Sequence, residues 1–94
     1  MVSAVKQPDG LISVLLDTNA EFGDRDDAAM DPGEYDDPAV EEALLKVVLS
    51  QDEDEDIADR AGESLWEIWT RKGKNDPNTV ALMHPAARKL FDPL

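Results

Sequence analysis

One stretch of the chain, residues 57–69, reads IADRAGESLWEIW. Its apolar residues recur at helical spacing, at positions 57, 61, 65, 68 and 69. This spacing places them on one stripe of an α-helix, and the stretch lacks the strict alternation that is typical of a strand. The stretch is also long enough to be the central packing helix of a small domain. We therefore predict an all-α fold that is organised around this helix.

Helix start and stop signals flank the central stretch on both sides. The pairs Asp37–Pro38 and Asp76–Pro77 each combine an N-cap with a proline at the first helical position. Gly73 is a natural C-terminal stop for the central helix. These signals predict about five helices, the last of which is broken at His84–Pro85 and followed by a short final helix. Beyond the central helix, the helical segments are residues 10–16, 24–30, 38–50, 77–83 and 86–91.

Two segments are less regular. Residues 11–16 form a short apolar run that also fits a buried strand, and we favour a helix because of the repeat described below. Pro32 should kink or end the second helix near Asp31, since proline removes a backbone hydrogen bond and clashes with the preceding turn.

Length and composition limit the architecture. The 94 residues fit one domain, which we divide into a flexible lead-in (1–9), a helical domain (10–91) and a tail (92–94). No apolar run is long enough to cross a membrane, and residues 1–6 lack the apolar core of a signal peptide. Cysteine is absent, which excludes disulfides and thiolate metal sites. We expect a cytoplasmic protein with no cofactor and no membrane contact.

Charge is distributed unevenly along the chain. The formal net charge is −13, and residues 17–59 hold 17 acidic and two basic residues. Residues 60–94 hold four acidic and six basic residues. Binding to nucleic acid is unexpected, because phosphate contacts need a basic surface. An acidic region of this kind can instead attract a basic protein or a cation, or it can simply keep a small protein soluble.

An internal repeat is visible at an offset of 33 residues. Leucine and valine positions in 11–16 align with those in 44–49, and Asp26 and Ala28 align with Asp59 and Ala61. A period of roughly 20–50 residues indicates stacked supersecondary units. Each helical hairpin then buries its apolar stripe against the next hairpin.

The residues around the first repeat junction resemble a HEAT repeat. The matching residues run from Asp26–Asp27–Ala28–Ala29 to Gly33 and then through Asp37–Pro38 to Leu45. The resemblance covers about residues 11–70, although Pro32 stands where the family has leucine and Trp66 where it has glycine. It implies stacked antiparallel hairpins, a short HEAT-like α-solenoid. It also implies that an uncovered end is capped, covered by a partner, or paired with a second copy in a homodimer.

The acidic run before the central helix has part of the residue spacing of a calcium-binding loop. Asp52, Asp54, Asp56 and Glu63 occupy positions 1, 3, 5 and 12 of an EF-hand loop. Position 6 is Ile57, where the loop needs glycine, and a loop over 57–63 would break the apolar stripe. We therefore interpret the run as the solvated start of a helix and predict no metal site, with weak cation binding as the alternative.

The two tryptophans have different predicted roles. Trp69 lies on the apolar stripe and should belong to the core. Trp66 lies away from the centre of the stripe. It either packs under residues 76–91 or serves as an exposed anchor for a partner, because tryptophan is enriched at interface hot spots. In the second case, Trp66→Ala would weaken partner binding and leave the melting temperature nearly unchanged.

No catalytic arrangement is recognisable. His84 is the sole histidine, and it has no second ligand or acid–base partner nearby in the sequence. We expect a non-enzymatic interaction module that binds a basic partner. Its predicted contact residues are Trp66, Asp52, Glu53, Asp54, Glu55 and Asp56. The alternatives are an inhibitor or immunity-type protein that neutralises a basic toxin or nuclease, and a lyase-like accessory protein, which the HEAT resemblance suggests.

Overall fold

A computed structural model describes residues 9–30 and 37–91, and the elements in these two ranges are all α-helices. The prediction of an all-α fold is confirmed. Six helices occur in this part of the chain, where about five were expected. They are α1 (Asp9–Leu16), α2 (Phe22–Met30), α3 (Pro38–Leu49), α4 (Glu55–Lys72), α5 (Pro77–Ala81) and α6 (Pro85–Phe91).

The helices pack in the order expected for side-by-side hairpins. Helix α1 contacts α2 and α3, and α4 contacts α2, α3 and α6. The consecutive pairs α1–α2, α3–α4 and α5–α6 are in contact, and so are the alternate pairs α1–α3, α2–α4 and α4–α6. The central stretch lies within α4, which is the longest helix and contacts more of the other helices than any other described element.

Capping residues define several helix boundaries as the sequence predicts. Asp37 accepts a hydrogen bond from the backbone N–H of Ala39, and Asp76 accepts one from Thr79. Gly73 ends α4 in the left-handed conformation, with φ of 66°. Residues 11–16 are helical rather than extended. The expected kink near Asp31 and Pro32 lies outside the described residues, as do most of the lead-in (1–8), the tail (92–94) and Asp36.

Two boundaries differ from prediction. Helix α2 begins at Phe22, inside a segment that was expected to be a loop. Helix α5 ends at Ala81, whereas the sequence suggested a helix to position 83. The chain turns at Leu82 and Met83 because the backbone N–H of His84 donates to the carbonyl of Val48, which ties this turn to the end of α3.

The core follows the apolar stripe of α4. Ile57, Ala61, Leu65, Ile68 and Trp69 are all buried, as the helical spacing predicted. Around them lie buried residues from the other helices, and each fully buried aliphatic side chain contributes about 1.5–3 kcal/mol. These surrounding residues are Leu15, Ala28, Ala29, Val40, Ala43, Leu44, Val47, Val48, Met83 and Ala87.

Helices α4 and α6 approach each other closely at Gly62. A Cβ atom at this position would lie 2.9 Å from the Cβ of Ala87 and 3.1 Å from Cδ1 of Leu90. Glycine is therefore required here for packing. Trp66, which stands where the HEAT pattern has glycine, does not block this approach, because the helices meet one turn earlier.

A buried arginine connects α1, α2 and the loop before α4. Arg25 donates to both carboxylate oxygens of Glu53, at 2.9 and 2.8 Å, and its Nε and one terminal nitrogen donate to the carbonyl of Leu15. The two charged side chains are 10% and 9% exposed. This geometry provides hydrogen-bond acceptors for the guanidinium. It also gives the Leu15 carbonyl, at the end of α1, a hydrogen-bond donor.

None of the helices in the described ranges is long and apolar enough to cross a membrane.

Replacement of Gly62 with alanine should destabilise the protein. Alanine improves helix propensity by about 1 kcal/mol, but its methyl group would push α6 away from α4. We expect a lower melting temperature for Gly62→Ala in a thermal unfolding experiment. Gly23→Ala is the matched control, because Gly23 lies in α2 with nothing within 4 Å of an added Cβ, and it should raise the melting temperature. A gain in stability for both variants would contradict the close packing of α4 and α6.

Loss of the Arg25 side chain should be costly. Arg25→Ala would leave the buried Glu53 carboxylate without its partner, and breaking such a pair typically costs about 3–5 kcal/mol. The control is Lys46→Ala, which removes an exposed pair with Glu42 that is worth about 0.5 kcal/mol or less. Urea unfolding at neutral pH compares the two variants. Equal losses in the free energy of unfolding would show that Arg25 and Glu53 do not form a buried ion pair.

Candidate functional site

The candidate site is the solvent-facing side of α4, opposite its apolar stripe. Asp56, Glu63 and Trp66 are exposed on this side and Asp59 is half-buried. Their spacing of three or four residues places them along one face, with Asp56 and Trp66 about 15 Å apart along the helix axis. We call these four residues the outer face of α4. Helices α2 and α6 contact α4 and so flank this face.

The predicted acidic run divides into residues used inside the fold and residues open to solvent. Glu53 pairs with Arg25, and Asp54 is the N-cap of α4, where it accepts hydrogen bonds from the backbone of Asp56 and Ile57. Asp52, Glu55 and Asp56 are exposed. Asp52, Glu55 and Asp56 therefore remain available as contact residues, while Glu53 and Asp54 already have structural partners.

Trp66 lies at the wall of an open groove between α4, α5 and α6. The side chain is 47% exposed, so it is neither fully packed under residues 76–91 nor fully free. The groove has a volume of about 710 Å³, and six of the eight described residues that line it are apolar. Arg88 is the single charged residue among these eight. The others are Trp66, Asn75, Pro77, Val80, Ala81, Leu90 and Phe91.

A second, smaller groove lies between α2 and α4 and contains an aromatic residue that the sequence reasoning missed. Phe22 is 50% exposed and lines a space of about 230 Å³ with Asp26, Asp56, Asp59 and Arg60. Arg60 lies 3.4 Å from both Asp26 and Glu63 and so partly neutralises this groove. The spacing of Phe22 and Asp26, four residues apart, was the available signal that they share a helix face.

The third groove borders α6 and contains His84. The His84 ring is buried and its Nδ1 accepts a hydrogen bond from the backbone N–H of Ala86, so the ring caps the start of α6. Nearby, Lys89 lies 4.0 Å from Asp59. Three carboxylates of α4, from Glu55, Asp56 and Asp59, line this groove. Asp56 and Asp59 therefore face both the Phe22 groove and the His84 groove.

Trp69 belongs to the core, as predicted, and it holds a buried carboxylate. The ring is 3% exposed and packs edge-to-face against Phe91, with centroids 5.3 Å apart. Its Nε1 donates to Glu41 at 3.2 Å. Lys72 and Lys74 also bind the Glu41 carboxylate.

The sequence of α3 predicts that Glu41, Glu42 and Lys46 face water. For Glu41 this prediction is wrong, since the residue is 8% exposed. It lies three and seven residues before the buried Leu44 and Val48, on the same face of α3. Burial raises the pKa of Glu41, but the hydrogen bonds from Lys74, Lys72 and Trp69 outweigh that effect and lower the pKa below its ordinary value. The residue thus stays ionised and ties α3 to the end of α4.

Metal binding has no support in the geometry of the acidic run. Residues 57–63, the second half of the would-be EF-hand loop, are helical, and Ile57 is buried. This confirms the helical interpretation of the sequence. No cluster of three or more acidic or histidine side chains in ranges 9–30 and 37–91 is arranged to hold a metal ion.

Comparison with known proteins identifies no relative: the chain matches no family model, no curated protein and no solved structure.

The Glu41 cluster should make stability depend on pH. A carboxylate with a lowered folded-state pKa stabilises the protein above its unfolded pKa, near 4.5, and this contribution is lost as the pH falls through the lower, folded-state pKa. Glu41→Gln should therefore cost about 1–3 kcal/mol at pH 7. Urea unfolding should show this difference shrinking below pH 4.5. A difference that is the same at pH 7 and pH 3 would contradict the ionised cluster.

Proposed function

We propose that the chain is a HEAT-like protein–protein interaction module without enzymatic activity. The pattern of contacts between the helices supports this interpretation. Helices α1–α2, α3–α4 and α5–α6 form consecutive pairs, and these pairs stack through the contacts α1–α3, α2–α4 and α4–α6. Stacked helical hairpins commonly present extended binding surfaces. The lack of cysteine fits a reducing compartment, and we propose a cytoplasmic location.

The proposed partner is a protein with a basic surface, and the proposed contact is the outer face of α4. The observation that carries this proposal is the alignment of exposed carboxylates with an exposed aromatic side chain on one helix face. Carboxylates there would speed the encounter with a basic partner and orient it. Trp66 would supply buried contact area, since tryptophan often dominates interface energetics. Glu55, beside this face, and Asp52, before α4, add negative charge.

An inhibitor or immunity-type role is the second candidate. It would require a contiguous acidic surface that carries an exposed aromatic residue and can cover a basic cleft. The Phe22 groove favours this role, because Asp26, Asp56 and Asp59 surround a half-exposed phenylalanine. Inhibition of a captured basic nuclease by the purified protein would distinguish this role from a passive scaffold.

Affinity capture with kinetic follow-up tests the proposed function. Immobilised wild-type protein should retain a basic protein from the source lysate at about 50 mM salt and release it at high salt. With that partner purified, the association rate constant should fall at least about tenfold as the salt concentration rises to 500 mM. Asp56→Asn should lower this rate constant at low salt.

The matched control is Glu42→Gln, which removes one exposed charge from α3, away from the outer face of α4. It should leave the association rate constant close to that of the wild type. Equal effects of the two variants would show that net charge alone attracts the partner. Binding that does not respond to salt would contradict the electrostatic role of this face.

A further inference from the structure

We infer that the partner binds through a two-part segment: a large apolar side chain that enters the Trp66 groove, and Lys or Arg residues about 15 Å away that meet the carboxylates near the start of α4. This inference rests on the proposed function and adds the chemistry and spacing of the recognised segment. The inference depends on the positions of the Trp66 groove and of the carboxylates along α4.

The Trp66 groove selects an apolar group. Its walls include Val80, Leu90 and Phe91 in addition to Trp66, and none of the described residues that line it is acidic. Arg88 is exposed at this groove and would repel a basic side chain placed there. An apolar group therefore fits the groove, and the basic residues of the partner must lie elsewhere.

The carboxylates at the start of α4 are the complementary site for those basic residues. Asp56 lies ten residues before Trp66, which corresponds to about 15 Å along the helix. Asp56 and Glu55 are exposed, and neither forms an ion pair with another residue of the described ranges. Asp59 and Glu63, which lie between the two sites, already face Lys89 and Arg60.

The charges around the two sites determine which part of the segment lies at which site. Arg88 lies at the apolar end, and the exposed carboxylates of Glu55 and Asp56 lie at the other end. A segment with its basic residues next to the apolar anchor would bring like charges together at Arg88. A helical segment with the two parts about three turns apart would match the spacing and could lie along the outer face of α4.

The test uses synthetic peptides of identical composition. Each is an alanine-based helix with one phenylalanine and two lysines. The spaced peptides place the phenylalanine and the lysines about eleven residues apart, in either chain direction, and the compact peptide places them within one turn. Affinity is measured by the fluorescence anisotropy of labelled peptides. The binding site is located by NMR through the indole N–H signals of the two tryptophans, which are three residues apart on α4 and are 47% and 3% exposed.

The tighter-binding of the two spaced peptides should bind at least about tenfold more tightly than the compact one. It should shift the Trp66 indole signal more than the Trp69 signal, because Trp69 is buried behind Phe91 and its indole N–H is held by Glu41. Trp66→Ala should reduce its affinity to that of the compact peptide. Asp56→Asn should weaken binding, and the control Glu42→Gln should not. An unchanged Trp69 signal in each variant shows that the fold is retained.

Two outcomes would overturn the inference, and they are distinguishable. If spaced and compact peptides bind equally, with salt sensitivity but no effect of Trp66→Ala, the acidic face binds basic segments without the two-part arrangement. If none of the peptides binds at low salt, the proposed function fails together with the inference.

Discussion

Burial of one side of α4 against three other helices is the constraint on which the rest of the structure depends. Its apolar stripe supplies large buried side chains such as Ile57, Leu65 and Ile68 to the core. In a chain of 94 residues, few other contacts can replace that burial, because small domains cover a modest share of their surface. The polar side of α4 is consequently fixed in orientation, and its carboxylates and Trp66 are presented to solvent in a defined row.

Polar links at the edges of the core hold α4 in its place. The Arg25–Glu53 pair joins the segment before α4 to α1 and α2, while Glu41 joins α3 to the lysines at the end of α4. Each link contains a carboxylate that is mostly shielded from water, where an unpaired charge would be costly. They therefore favour one arrangement of the helices, in addition to the less specific attraction of apolar surfaces. The acidic composition thus has an internal role as well as a surface one.

The sequence predicted the features that depend on local order. Helical periodicity located the core stripe of α4, and the Asp–Pro pairs located the starts of α3 and α5, because both signals act within one or two turns. The long-range polar partners could not be predicted in this way. Arg25 and Glu53 are 28 residues apart, as are Glu41 and Trp69, and such pairing is fixed by how the helices stack.

The candidate surface was predicted only in part, because it also depends on how the helices stack. The acidic run and Trp66 were recognisable as residue types, but their relation depended on which face of α4 is buried. Phe22 was missed because its segment, 17–23, has the composition of a loop. Its position beside Asp56 and Asp59 follows from the contact between α2 and α4. Residues that are distant in sequence thus meet on this surface, as they do in the core.

The two-sided character of α4 is most directly tested by tryptophan fluorescence. Trp66 and Trp69 are three residues apart on the same helix, yet they are 47% and 3% exposed. Single-tryptophan proteins are obtained with Trp69→Phe and Trp66→Phe, and acrylamide quenching is measured for each. The orientation of α4 predicts red-shifted, readily quenched emission from Trp66 and blue-shifted, protected emission from Trp69. Equal quenching of the two, or protection of Trp66 alone, would contradict it.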